Sequence, residues 1–289
     1  MWLFRSRANL HVDCRQASPG TAEYVRRAIG MVAPDEAFVQ VAAMSRAFHW
    51  PDFLPAFAHA AEVAGFSVGT LADTPAGPLQ AWERPGDGPR VYLSSGIHGD
   101  EPAGPLALLD LMTGAFFSEN IHWLLCPALN PTGLAAGTRD NADGIDLNRD
   151  YLQIRTREVA AHHGWLSRRP PPELFLSLHE DWETHGFYLY EINLGPDLPQ
   201  RALSILDAVK PWFPPETAPE IDGHTPREPG WIHHGAEPDL PDSWPEAIHM
   251  AKIGCPLSFT FETPSRAALA GRIAAHRTAV ETALVTIRV

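Results

Sequence analysis

The chain reads as an α/β protein in which helices are layered on a sheet, and two observations carry that reading. Continuous apolar runs recur at Val91–Ser95, Ile121–Leu129, Leu174–Leu178, Phe187–Leu194 and Leu257–Phe261, as in strands buried on both faces. Helical stretches lie between several of these runs, and such alternation predicts a layered α/β sheet. With 289 residues and 45% hydrophobic content the chain can bury a sizeable core. No composition break marks a boundary, so a single domain over residues 1–289 is expected.

In chain order, helices are predicted near Thr21–Val32 and Glu36–Phe48, within a helical extension (1–50) that carries no recognisable site chemistry. Phe53–Ala64 has the apolar spacing of an amphipathic helix. Phe66–Leu71 and Pro78–Glu83 flank the turn-rich Asp73-Thr74-Pro75-Ala76-Gly77 and predict a hairpin. Gly104–Met112, Thr156–Ser167 and Gln200–Val209 are the intervening helices, and a last helix runs from about Ser265 to Thr286. Between Pro211 and Pro245 the composition shifts to nine prolines, with few strand formers and with His224, Trp231, His233, His234 and Trp244. A long ordered loop is expected there, rimming the site.

The formal net charge is −13, from 22 Lys+Arg against 35 Asp+Glu, so the surface field repels polyanions and nucleic acid is not an expected partner. The N-terminal Met1-Trp2-Leu3-Phe4-Arg5-Ser6-Arg7 is basic but lacks the apolar stretch and cleavage site of a secretory signal. No apolar run reaches membrane-spanning length, so a cytoplasmic protein with no membrane partner is expected. Cys14, Cys126 and Cys255 are widely spaced without a Cys-x-x-Cys pair. Cys126 and Cys255 fall in or beside strand-like runs and read as buried free thiols. Nothing in the sequence addresses the oligomeric state.

The chemistry gathers at strand ends. His-x-x-Glu occurs three times, as His59/Glu62, His98/Glu101 and His234/Glu237. The first lies in an amphipathic helix and the last in the proline-rich loop. His98 and Glu101 instead follow the run Val91–Ser95 and precede a helix, where open α/β sheets place their ligands. Two such residues and one further histidine would make a His₂Glu set, a common arrangement for catalytic zinc with an open position for water. His179, which follows Leu174–Leu178, is the third candidate. Glu262 follows Leu257–Phe261 and reads either as a general base or as an acid favoured at a helix start. The polar segment 137–150 presents Arg139, Asn148 and Arg149; guanidinium groups hold carboxylates or steady oxyanions. Glu180, Asp181 and Glu183 with His185 either orient the zinc histidines or form a solvated loop.

In combination, Gly96-Ile97-His98-Gly99-Asp100-Glu101, Asn130-Pro131-Thr132-Gly133, Asn141-Ala142-Asp143-Gly144-Ile145-Asp146-Leu147-Asn148-Arg149, Ser177-Leu178-His179-Glu180 and Thr260-Phe261-Glu262 resemble the zinc carboxypeptidase family. The likeness is to its compact branch, which includes murein peptide amidases and borders the succinylglutamate desuccinylase and aspartoacylase group. It implies a three-layer sandwich whose central sheet is mixed and mostly parallel, with helices on both faces. It implies one zinc ion on His98, Glu101 and His179, with Glu262 as general acid/base. Arg139 would polarise the scissile carbonyl, and Asn148 and Arg149 would hold a free carboxylate of the substrate. The expected substrate is a small peptide cut next to that carboxylate, or else an N-acyl amino acid. One departure stands out: digestive members carry a tyrosine shortly before the catalytic glutamate, and no tyrosine follows Tyr190 here. Its role is absent or passes to Trp231, His233 or His234.

Overall fold

The computed structural model describes residues 47–286. Helix α1 (Trp50–Val63) precedes a hairpin of β1 (Ser67–Thr74) and β2 (Gly77–Arg84). Next come β3 (Arg90–Ser95), α2 (Ala103–Thr113), β4 (His122–Cys126), the short α3 (Pro131–Ala136), a 3-10 turn at Leu147–Arg149 and α4 (Arg157–Leu166). The second half holds β5 (Leu174–Asp181), β6 (Tyr188–Asn193), α5 (Gln200–Val209), β7 (Trp231–His234), α6 (Glu246–Lys252), β8 (Leu257–Pro264) and α7 (Leu269–Thr286).

The strands form one sheet in the order β1-β2-β4-β3-β5-β8-β6-β7. Its centre is parallel, with β3 between β4 and β5 and with β8 beside β5. The hairpin and the β6–β8 pair are antiparallel, so the sheet is mixed, as expected. Side chains of the central strands alternate between two apolar layers. Val91, Leu93, Trp123, Leu125, Leu174 and Leu176 join one, with the buried faces of α1, α2, α5 and α7. Tyr92, Leu124, Cys126 and Phe175 join the other, with Val159, Trp165 and Leu166 of α4 and Met250 of α6. Two cores, one on each face, explain why these strands read as continuous apolar runs.

Local chemistry sets the element ends. In α1, Trp50, Phe53, Phe57 and Ala61 recur every three or four residues and are buried, with a proline at the helix start. The hairpin turns on Pro75 and Ala76 alone, because Thr74 already faces Gly77. Asn130 caps α3 by accepting from the Gly133 amide at 2.8 Å, and Gly137 closes it at φ +67°.

Four expectations need correction. The strand predicted over Ile121–Leu129 ends at Cys126. The strand predicted to stop at Leu178 continues through His179 to Asp181, because β8 pairs with it over that whole length. The last helix begins at Leu269 rather than Ser265. The stretch from Pro211 to Pro245 is not all loop: Trp231–His234 pairs in parallel with β6 as an edge strand. Cys126 and Cys255 are buried free thiols, as predicted. Thr21–Val32, Cys14 and nearly all of Glu36–Phe48 lie outside the described residues. Among the described residues no helix is long and apolar enough to cross a membrane.

Candidate functional site

Strand order locates the site. From β3 the chain moves to β4 on one side and then returns to β5 on the other, so the two connections leave a crevice at the carboxyl ends of β3 and β5. Gly96 ends β3 with φ +61°, a left-handed turn that favours glycine. The following loop is pressed onto α3. A Cβ on Gly99 would lie 1.9 Å from the Gly133 carbonyl carbon, and the Gly99 amide donates to the Arg139 carbonyl at 3.3 Å. Glycine at 99 is therefore a requirement of close backbone approach, and it fixes His98 and Glu101 on either side of that contact. His179 arrives from β5, with Glu262 of β8 as its sheet partner.

His98, Glu101 and His179 converge with ligand atoms within 4.8 Å of one another, and all three are buried. His98 Nδ1 lies 2.6 Å from Glu101 Oε1, and His98 Nε2 lies 3.2 Å from Asp146 Oδ1. A neutral imidazole can donate to only one of these carboxylates, so the other nitrogen presents a lone pair or the ring takes a second proton. His179 Nδ1 is 3.0 Å from Glu101 Oε2, yet its approach is off the hydrogen-bonding line and that buried oxygen has no donor. Three electron-pair donors thus point at a common centre, and one of them is orphaned. Two imidazoles and a carboxylate are a standard donor set for catalytic zinc, and Asp146 on the far nitrogen of His98 is the usual outer partner of a metal-binding histidine.

The electrostatics have the same origin. Burial works against a charged His98, but the Glu101 and Asp146 carboxylates outweigh it and raise the ring to about 9. Burial would raise Glu101, yet His98 and His179 hold it well below the usual carboxylate range. Burial dominates at His179 and lowers it. Glu262 is pushed far upward by burial and then by the negative charges of Glu101, Asp181 and Asp222.

A cavity of about 630 Å³ opens over this cluster and includes Glu262, Arg139, Asn148 and Arg149 in its lining. Every sequence-predicted site residue therefore meets at one cavity. Arg139 spans Asp146, at 3.0 Å, and Glu101, at 3.7 Å, while remaining partly exposed. Arg149 is exposed. Asn148 accepts from the Glu246 amide through Oδ1 at 2.9 Å, which starts α6 and ties the 3-10 turn to it.

Sequence reasoning missed several residues of the site. Asp146 stands out in sequence only as part of a motif, yet its carboxylate also accepts from the Asn148 amide at 2.8 Å, which joins His98, Arg139 and the 3-10 turn. Tyr188 pairs with Glu262 across the sheet and donates to Asp181 Oδ2 at 3.1 Å. Tyr188 and Tyr190 bring two phenols to the cavity from β6, although no tyrosine precedes Glu262 closely in sequence. Of the three residues suggested for the missing tyrosine, only His234 lines the cavity. Trp231 is buried beneath Arg227, and His233 is exposed outside. The acidic cluster splits: Glu180 is buried, paired with Arg272 and accepting from the Ala103 amide at 2.7 Å, while Glu183 is solvated.

Comparison with known proteins gives local sequence matches and a shared fold. Residues 87–163 match the model of the succinylglutamate desuccinylase/aspartoacylase catalytic domain. Carboxypeptidase SOL1 of Arabidopsis thaliana is 30% identical over 35% of this chain and 26% of its own length. Carboxypeptidase 2 of Trichophyton tonsurans is 31% identical over 32% of this chain and 18% of its own length. The chain thus spans about a quarter or less of these curated relatives. Among solved structures, a candidate metallopeptidase from Shewanella amazonensis superposes with a TM-score of 0.71 at 24% identity, covering 82% of this chain and 92% of that one. Carboxypeptidase A of Helicoverpa armigera gives 0.61 at 13% identity, over 93% and 80%. The chain thus shares the fold of these metallopeptidases and carboxypeptidases, and its local sequence matches point to the same zinc-carboxypeptidase-like group.

Proposed function

We propose that this chain is a zinc-dependent metallocarboxypeptidase or amidase that hydrolyses an amide bond next to a free carboxylate in small peptides. The observation that carries the reading is the convergence of His98, Glu101 and His179 on one centre, with the Glu101 oxygen left without a donor, in a cavity that also holds Glu262 and two arginines. Those three residues would hold the ion. When bound, zinc supplies a Lewis acid for the amide carbonyl and brings the pKa of water near neutrality.

The remaining work falls to the chain's own side chains. Glu262 takes the proton of the attacking water and passes it to the leaving amine, the role of a carboxylate whose proton affinity is raised, here by burial and then by the neighbouring carboxylates. Arg139 sits against Glu101 and Asp146 with its outer face in the cavity, where it steadies negative charge developing on the carbonyl oxygen. Arg149 and the free amide of Asn148 hold the substrate carboxylate. Asn148 suits this task because its other end is fixed to the α6 amide. The volume of about 630 Å³ lies in the ordinary range for small-ligand sites.

An N-acyl amino acid deacylase is the second reading. The observation favouring it is the match at residues 87–163, a stretch that contains His98, Glu101, Arg139, Asn148 and Arg149. Both readings use the same groups, so substrate choice decides between them. Short peptides and N-acyl amino acids are compared as free acids and as amides, with amine release as the readout. The leading reading expects cleavage of free-acid peptides far above their amides, and a narrower preference in Arg149→Ala. Turnover confined to N-acyl amino acids selects the deacylase. Equal cleavage of free and amidated peptides removes the carboxylate clamp.

A further inference from the structure

We propose that His224, His234 and Asp239 form a second transition-metal site on the wall of the same cavity, distinct from the cluster of His98, Glu101 and His179. The donor atoms of these three side chains lie within 4.8 Å of one another. His234 Nε2 is 3.2 Å from Asp239 Oδ1, and His224 Nε2 is 3.4 Å from Asp239 Oδ2. The two rings stand edge to face with centroids 5.0 Å apart, so both Nε2 atoms and the carboxylate address one space.

The tautomer of His234 points to a cation there. Its Nδ1 makes a short contact with the Gly235 carbonyl oxygen, which can only accept. Nδ1 must therefore carry the proton, and in the neutral ring Nε2 is a bare lone pair facing the Asp239 carboxylate. Two electron-rich atoms at 3.2 Å repel unless a positive charge, a second ring proton or a metal ion, lies between them, and the nearby His224 Nε2 supplies the further donor that only a metal ion would use. A backbone carbonyl on the second nitrogen is also how metal-binding histidines are commonly oriented. Two imidazoles and one carboxylate suit zinc and its neighbours over magnesium or calcium, which prefer oxygen donors. All three residues line the cavity, so a position left open by this donor set faces the substrate space.

The site also gives the Pro211–Pro245 stretch a physical tie. His224 closes a two-residue bridge with Ile221, His234 ends β7, and Asp239 lies on the segment beyond. Among the described residues this stretch contains one four-residue strand and no helix. One ion would cross-link three points of it. Tyr190 packs its ring edge-to-face against both histidines and donates to Asp222 at 2.6 Å, which braces the same region from β6.

The test counts metal on the 289-residue chain. Protein stripped by chelator is reloaded with Zn²⁺ alone, desalted and measured by mass spectrometry of the metal, alongside limited proteolysis of residues 211–245. Two ions per chain are expected in the parent, one in the paired variant His224→Gln/His234→Gln, and one in His179→Gln. Zinc should protect the stretch from cleavage in the parent and in His179→Gln but not in the paired variant. Asp239→Asn, at an exposed position, guards against a folding defect and should likewise lose one ion. A parent that holds one ion which the paired variant retains overturns the proposal, as does equal metal content and equal protection in parent and paired variant. A parent whose single ion vanishes in the paired variant and survives in His179→Gln supports this site and refutes the zinc cluster of the proposed function.

Discussion

Replacing Glu246 by glutamine tests the buried polar chain behind the cavity. Glu246 Oε1 accepts from Tyr92 at 2.9 Å and Oε2 from Ser94 at 2.7 Å. Tyr92 Oη also lies 2.7 Å from His162 Nε2, and His162 Nδ1 lies 2.7 Å from Tyr151 Oη. Since Tyr92 donates to Glu246, it receives the imidazole proton, and the other ring nitrogen accepts from Tyr151. His162 is neutral in this chain, because burial and then the nearby His249 and His163 lower it to about 3. Among the described residues no cation faces Glu246, so burial outweighs the Ser94 and Tyr92 donors and raises its carboxyl from 4.5 to about 7. The sign follows directly. Below pH 4.5 the group is protonated in folded and unfolded chains alike. Between that value and about 7 only the folded chain keeps the proton, so stability falls as pH rises, and the fall is complete above the folded value. At 1.36 kcal/mol per unit the loss is at most about 3 kcal/mol. Glutamine is neutral throughout, accepts from Tyr92 and donates to Ser94 Oγ. Urea melts of both proteins from about pH 5 to about pH 8 should diverge, with Glu246→Gln gaining on the parent by up to ~3 kcal/mol as pH rises. Parallel stability curves would show that the parent carboxyl does not hold its proton on folding, and the argument would fall.

Three further outcomes follow from the site. His98→Ala, Glu101→Ala and His179→Ala should each lose the zinc of their cluster while His59→Ala keeps it, measured as metal per chain; full retention in His179→Ala removes that residue from the ligand set. Glu262→Gln should keep metal and fold but lose about a hundredfold or more in kcat, since only the proton transfer is removed. Gly99→Ala should lower stability by ~2 kcal/mol or more, because its Cβ meets backbone rather than a movable side chain. An unchanged melting temperature for that variant would mean that the contact with α3 is not tight.

The parts of the fold that sequence made legible are those whose signal is local. Buried central strands carry their apolar composition wherever they lie, so β3, β5 and β8 could be read directly, and with them the strand ends that deliver His98, His179 and Glu262. What could not be read depends on partners far along the chain. The polar ends of β5 and β8, Glu180-Asp181 and Thr263-Pro264, are strand only because each pairs with the other. β7 has two histidines in four residues and becomes a strand by lying along β6. Helix α6 has no capping residue of its own; Asn148, from 98 positions earlier, accepts from its first amide.

The same distinction separates what was seen from what was missed at the site. His-x-x-Glu at 98 and 101 works because β3 and Gly96 aim both residues at the crevice, whereas the identical spacing at 234 and 237 is irrelevant to either cluster. Glu237 turns away to Lys252, at 2.7 Å, and His234 finds its partners in His224 and Asp239. Asp146, 48 residues from His98, becomes its partner only when the 3-10 turn folds back over the β3 end. Tyr188 reaches Glu262 from 74 positions earlier because β6 runs antiparallel to β8 and sets the two residues opposite one another. A search for tyrosine close in sequence to Glu262 therefore looks along the strand, while the relevant neighbour lies across the sheet. Spacing reports a site only where one strand or one turn supplies both residues, and pairing between strands supplies the rest.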